Sequence, residues 1–334
     1  MRSLRIHFTM LDLARTRVAG DSDPLWEVVL SGFRLNYRYR DNEHLFGAWK
    51  RSVLTDPNRA GPARAGARLL SVLAPKGPYF PDFLTPTGTA GGFEAGLEAI
   101  RATPRRRLRA EMAKLAQESP VPARFLPVAE GRPDALGALA TVLRSYRDAV
   151  ITPHDGAVRS VVSADAARRT RVLAERGVEG LFETLPWARW RPPVLEVEYG
   201  VDRDLHLNGR GLVLVPSFFC DRQPITLADP DLPPTLIHPV DKTVGWEGLV
   251  AETRGGLAAL MGPTRAAVLL EIAEGGGLTT TQVAQRLSTS AAAVSRHAAV
   301  LRSAGLVDTR RDGQHVLHTP TLLGLGLLET SVVR

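Results

Sequence analysis

The sequence has 334 residues, 44% of them hydrophobic, enough to bury a sizeable core divided over two or three domains. No apolar run reaches bilayer-spanning length, the first twenty residues lack the apolar centre of a signal peptide, and one cysteine, Cys220, rules out an internal disulfide and a thiolate metal cluster. A net charge of +7 suits a nucleic-acid partner, so the expectation is a cytoplasmic, nucleoid-associated protein with no membrane partner.

In chain order, residues 4–8 alternate as a strand and 12–17 read as a helical turn. Asp23-Pro24 opens a helix over 25–37, because an Asp cap followed by Pro in the first turn is a start signal. Trp26, Val29, Leu30, Phe33 and Leu35 supply its apolar surface. Helices follow over 43–54, with Leu45, Phe46 and Trp49 on one face, and over 63–73. Residues 77–92, rich in Pro and Gly, form a loop anchored by Phe80, Phe83 and Leu84. Further helices span 93–102, 105–117, 133–150 and 153–177, and a short one over 181–185 precedes Trp187 and Trp190. Arg105, Arg106, Arg107 and Arg109 make the densest basic patch. A solvated helix face is the simpler reading of that run, and contact with DNA flanking a binding site is the other.

The character changes at Pro192. Residues 194–199, 204–207 and 211–219 read as strands, the last two joined by Asn208-Gly209, a strong hairpin signal. Residues 225–227 and 236–237 add edges, and the 4–8 strand is a candidate to join them. The expected organisation is a helical domain over 1–190, a small antiparallel β region over 191–242 packed with it, and a third region over 243–334. The fold class is α+β, mainly helical. A helix over 243–261 leads into another over 264–274.

Residues 278–319 carry the strongest pattern in the chain. A short amphipathic helix over 281–287 places Val283, Ala284 and Leu287 on one face. The turn Ser288-Thr289-Ser290 follows, and a second helix runs over 291–304 with Ser290 as N-cap and Gly305 past its last turn. Two strands over 306–310 and 315–319 flank Asp312-Gly313. This is a helix-turn-helix with a hairpin wing. In the second helix Val294, His297, Ala298 and Leu301 point inward with Val300 close by, whereas Ala291, Ala292, Ser295, Arg296, Ala299 and Arg302 point outward. Small outward residues let a helix enter a major groove, where Ser295 and Arg296 reach base edges. Arg302, Arg310, Arg311 and His315 lie where the helix ends and the wing begins, suited to phosphate. Thr280, Thr281, Gln282 and Ser290, at the two helix starts, complete the expected DNA-contacting set.

The run from Ser290 to Val307, S-x-x-x-V-S-R-H-x-x-V-L-R-x-A-G-L-V, with the Arg-Arg-Asp-Gly wing after it, resembles the ArsR-type (arsenic-repressor-like) winged-helix regulators. The likeness covers roughly the last quarter of the chain. It implies a symmetric dimer, a cytoplasmic location and a role in transcription. Metal sensing is not implied, because the helix-turn-helix has no cysteine and the tail after Thr319 offers no His and only Glu329. More loosely, the opening strand, LDLARTRV, PLWEVVLSGFRL and the later PYFPDFLTP resemble the N-terminal half of large actinobacterial ArsR-like regulators.

Signs of chemistry are sparse. The glycine-rich stretches at 88–92, 209–211 and 275–277 form no phosphate-binding loop, and neither G-x-S-x-G nor H-E-x-x-H occurs. His154-Asp155 reads as a helix start. His238 and Asp241 lack companions, and Cys220 reads as a buried thiol. No cofactor and no metal site is indicated, and the chain is read as a non-enzyme. The expectation is a DNA-binding transcriptional regulator on a pseudo-palindromic duplex operator, working as a homodimer. Its N-terminal region senses a small-molecule effector or mediates interactions. The rival readings are an enzyme with a fused winged helix and a protein-interaction module.

Overall fold

The structure is a computed structural model that describes residues 2–37, 43–87, 91–220, 223–240, 260–275, 277–287, 289–312 and 315–330. It divides into two compact units, Met1–Lys242 and Thr243–Arg334. The helix expected over 243–261 lies outside the described residues except at its last two positions.

In the first unit β1 (Ser3–His7) alternates as expected, with Leu4 and Ile6 fully buried. It lies inside a four-stranded sheet of order β3 (Ala188–Arg191), β4 (Val194–Glu198), β1, β5 (Arg203–His206), antiparallel to β4 and parallel to β5. α1 (Met10–Arg15) starts at a capping box in which the Thr9 side chain and Asp12 satisfy each other's backbone. β2 (Arg17–Val18) then enters a second sheet of order β2, β6 (Val213–Ser217), β8 (Thr235–Pro239), β7 (Ile225–Thr226). Its β2–β6 and β6–β8 pairs are parallel and its β7–β8 pair is antiparallel.

The single antiparallel sheet expected over 191–242 is therefore two mixed sheets, each completed by a strand from the chain's first twenty residues. Asn208 and Gly209 do adopt left-handed backbone, φ 53° and 80°, yet they join strands of different sheets. Asp12 explains the departure. Its carboxylate, fully buried, accepts the Gly211 N–H at 2.9 Å, and the Arg17 N–H donates to the Leu212 carbonyl at 2.9 Å. The segment after α1 thus takes the edge of β6 that a hairpin would have given to β5. Gly211, at φ 74°, lies so close to the Arg15 backbone that any side chain would strike it.

The helical part comprises α2 (Pro24–Asn36), α3 (Glu43–Thr55), α4 (Pro57–Leu73), α5 (Gly92–Arg101), α6 (Arg105–Glu118), α7 (Leu126–Ala129), α8 (Pro133–Val150) and α9 (Asp155–Glu183). Asp23 caps α2 through the Leu25 and Trp26 N–H groups. α4 starts six residues earlier than its apolar pattern indicates, because Asp56 caps it and Pro57 occupies its first turn, with Pro62 accommodated inside. α9 is interrupted at Gly177, φ 69° and ψ −175°, where the sequence ends one helix and begins a shorter one. α8 packs on α4 where Tyr146, fully buried, covers Gly66 and shares a 3.0 Å hydrogen bond with the Ser31 hydroxyl.

His238, fully buried on β8, stacks on Trp187 at 5.7 Å and donates from Nδ1 to the Pro239 carbonyl at 3.1 Å. Burial first, and the Arg169 charge second, lower its pKa to about 4. A histidine whose folded pKa lies below its unfolded value, about 6.5, supports folding only while neutral. Its contribution is complete above pH 6.5 and declines toward pH 4, by about 1.4 kcal/mol per pH unit. Urea unfolding of the first unit is expected to show that acid slope, and His238→Gln to flatten it. An equal slope in the variant would assign the acid sensitivity elsewhere.

Candidate nucleic-acid interface

In the second unit the described elements are α10 (Pro263–Glu274), β9 (Leu278–Thr279), α11 (Thr280–Arg286), α12 (Ala291–Ser303), β10 (Val307–Asp312), β11 (His315–Pro320) and α13 (Leu322–Thr330). Val268, Leu269, Ile272, Val283, Val294 and Leu301 form their shared core. The sheet order is β10-β11-β9, so the wing is anchored by a third strand, two residues long.

Local chemistry fixes both helices of the helix-turn-helix. Thr279 Oγ1 accepts the Gln282 N–H at 3.2 Å, and Gln282 Oε1 accepts the Thr279 N–H at 2.9 Å, a reciprocal capping box. Ser290 Oγ accepts the Ala293 N–H at 3.2 Å and opens α12. At the other end Gly305 turns left-handed, φ 72°. Its N–H donates to Arg302 O and the Leu306 N–H donates to Leu301 O, both at 2.9 Å, which satisfies the last carbonyls and sends the chain into the wing. In the wing Asp312 pairs with His315, a two-residue connection whose own residues, Gly313 among them, lie outside the described residues.

α12 buries Val294, Ala298 and Leu301 and half-buries His297. Ala291, Ala292, Ser295, Arg296, Ala299 and Arg302 are exposed together. Val300 is 41% exposed rather than close to the inward face, because six residues on from Val294 is roughly 240° around the helix. Arg310 and Arg311 are exposed on β10. Arg296, Arg302, Arg310 and Arg311 form no ion pair among the described residues, whereas Arg286 meets Glu271 at 3.6 Å. Four uncompensated guanidinium groups on one small unit attract polyanion. Thr281, Gln282 and Ser290 are exposed. Thr280 is half-buried and its hydroxyl lies 2.9 Å from His318 Nε2. His315 begins β11, and its side chain lies outside the described residues.

His318 is the residue that inspection of the sequence passed over. It is 3% exposed, and its Nδ1 lies 3.1 Å from the Thr309 hydroxyl, so one ring braces α11, β10 and β11. Burial, and then the Arg302 charge, hold its pKa below the usual histidine value. The alternation of Val316 and His318 was the available signal. Gly324 is a second such residue. A side chain there would collide with the Leu306 carbonyl, so glycine is what lets α13 lie against the segment between α12 and β10. Leu327 and Leu328 pack on the core, while Leu322 and Leu323 are exposed by 89% and 62%.

The other candidate groups lie in the first unit. Arg105, Arg106 and Arg109 are exposed on α6, and Arg107 pairs with Glu111 at 2.5 Å. Asp155 pairs with Arg159 at 2.7 Å in the first turn of α9. Cys220 is buried, its thiol donating to the Gln223 carbonyl at 3.5 Å, and Asp241 lies outside the described residues. Among the described residues no three His, Cys, Asp or Glu side chains are placed to hold a metal ion, and no helix is long and apolar enough to cross a membrane.

A family model described as the MarR family matches residues 261–315, from the start of α10 to the start of β11. No curated protein and no solved structure matches the chain. The family match and the helix-turn-helix with its wing agree on the same segment, and the second unit is a winged helix-turn-helix of the kind found in DNA-binding transcriptional regulators.

Proposed function

We propose that the chain is a transcriptional regulator of ArsR type that binds a pseudo-palindromic duplex operator as a homodimer and needs no cofactor. In this reading the first unit senses a small-molecule effector. The observation that carries it is the exposed face of α12, where small residues surround Arg296 and where Arg302, Arg310 and Arg311, without an ion pair among the described residues, continue toward the wing. Thr281, Gln282, Ser290, Ala291, Ala292 and Ser295 complete the groove-facing set, and His315 extends it along the wing. Thr280 serves chiefly as the brace to His318. The dimer reading draws on Leu322 and Leu323, large apolar side chains left exposed on α13, and on Leu260, 71% exposed just before α10. One recognition helix reads too few base pairs for genomic specificity, and a twofold pair reads two half-sites about one helical turn apart.

The test is a titration of the duplex upstream of the chain's own gene at several salt concentrations. Three phosphate-facing arginines per protomer predict a log K against log salt slope of about −3 for one protomer and about −5 for a dimer. Failure to retard that fragment at low salt would sink the regulator reading. Light scattering of the free chain is expected to give twice the chain mass, and Leu322→Glu/Leu323→Glu to return it to one. A monomer at micromolar concentration that binds its operator with unit stoichiometry would remove the dimer and leave DNA binding standing.

A further inference from the structure

The first unit contains a cleft of about 1010 Å³, at the upper end of the range for sites that take small organic molecules. Its walls come from α2, from the loop around residues 76–82, from α6 and from the segments after β4 and β6. Two features of the lining identify a ligand class.

The first is aromatic. Phe33, Tyr79, Phe80, Tyr199 and Phe219 all line the cleft. Phe80 is held edge-on by Trp26 at 5.8 Å and by Phe33 at 6.1 Å, so its position is set before any ligand arrives. Preset ring faces favour a planar apolar body over a flexible chain.

The second is charge. Among the described residues Arg2, Arg34, Lys76, Lys114 and Arg203 line the cleft against Asp82, Glu118 and Glu198, five cations to three carboxylates. Asp82 is already engaged, accepting the Ala228 N–H at 3.0 Å and the Asp229 N–H at 2.7 Å. Glu198 accepts from the Gln223 side-chain amide at 3.4 Å. Three of the cations meet no carboxylate among the described residues. Arg2 donates to the Gly200 carbonyl, Arg203 to the Leu227 and Ala228 carbonyls, and the Lys114 ammonium lies over the Tyr79 ring at 4.3 Å. Asp82 and Arg203 both hydrogen-bond to the Ala228 backbone. A partly enclosed cleft with surplus positive charge concentrates small anions.

We propose that this cleft binds a planar aromatic carboxylate, its ring among the phenylalanine and tyrosine faces and its carboxylate toward Lys114 and Arg203. That its occupancy alters DNA affinity rests on the regulator reading above, whereas the binding itself does not.

The experiment titrates the full chain with sodium 2-naphthoate by calorimetry, beside the neutral 2-naphthamide of nearly the same shape. Saturable binding is expected at one site per chain with a Kd of about 0.1 mM. The amide is expected to bind about tenfold more weakly, since it lacks the charge that the cations select. Lys114→Glu, at an exposed side chain, is expected to weaken the acid about tenfold and leave the amide unchanged. Phe80→Ala is expected to weaken both. No heat up to roughly 10 mM, equal binding of acid and amide, or an acid affinity untouched by Lys114→Glu would each overturn the proposal. Gel shifts with and without 2-naphthoate separate the two readings. Charge-selective binding with an unchanged operator Kd leaves the cleft assignment standing and removes the sensing role. Charge-selective binding in a chain that retards no DNA leaves it standing and sinks the regulator.

Discussion

Glu27→Ala is expected to remove about 3–5 kcal/mol from the stability of the first unit, the cost of stranding buried polar partners around a lost charge. Glu27 sits on α2, 2% exposed. Its carboxylate accepts the Phe218 N–H at 2.8 Å, the Phe219 N–H at 3.0 Å and the Ser217 hydroxyl at 2.9 Å. Those donors belong to the end of β6 and to the turn beyond it, where the backbone leaves the sheet. Ser217 in turn accepts the Cys220 N–H at 3.2 Å. One helix side chain therefore terminates an inner strand of the second sheet. With alanine the two N–H groups and the hydroxyl lose that acceptor while the surrounding residues stay buried. Glu27→Gln keeps one acceptor oxygen and turns an N–H₂ toward donors, so an intermediate loss is expected. Urea unfolding should show a lower midpoint for the first unit and an unaltered one for the winged helix. The change should also reach the cleft, because Phe219 lines it and the Phe219 carbonyl accepts from Arg34 at 3.4 Å. An unchanged midpoint in Glu27→Ala would mean that the turn is held by other groups.

The features legible in the sequence are those set by neighbours along the chain. Ser290, Gly305 and Asp23 act on groups within a few residues, so each reads correctly as a cap from type and position alone. Gly177 interrupts α9 for the same reason, since only its own φ matters. Asn208-Gly209 shows the limit of such local reasoning. The dipeptide makes the left-handed turn it favours, but which strands pair on either side is decided by Asp12 and Arg17, almost two hundred residues away. The Glu27 carboxylate is invisible for a related reason. A glutamate at the fourth position of an amphipathic helix reads as surface until the strand end that it serves is placed beside it. β9 is too short for a period of two to show. His318 could have been found from its alternation with Val316, because a histidine on the inner face of a wing strand must find hydroxyl or carbonyl partners. The cleft has no sequence signature at all, since its walls come from segments spread over more than two hundred residues.

Arg296 and Arg311 are both exposed and form no ion pair among the described residues, and their places on the fold predict opposite behaviour. Arg296 follows Ser295 in the middle of the outward face of α12, flanked by alanines that keep the helix surface low. A long side chain projecting from such a face reaches furthest into a groove, where a guanidinium binds guanine in bidentate fashion. Arg311 stands opposite Val316, one residue from the end of β10, where a wing passes along the sugar-phosphate backbone. Arg296→Ala is expected to cost about 1–3 kcal/mol on the specific duplex and much less on random DNA, relaxing selectivity at one base pair. Arg311→Ala is expected to weaken both duplexes alike and to make the salt slope shallower by about one unit per protomer. Both side chains are exposed, so unfolding free energies should stay within about 0.5 kcal/mol of the parent's. Measuring both variants on both duplexes at several salt concentrations separates the roles. Equal loss on specific and random DNA for Arg296→Ala would show that α12 is not the base reader. If both variants bind as the parent does, the DNA-contacting surface lies elsewhere, and the exposed Arg105, Arg106 and Arg109 on α6 are the next residues to replace.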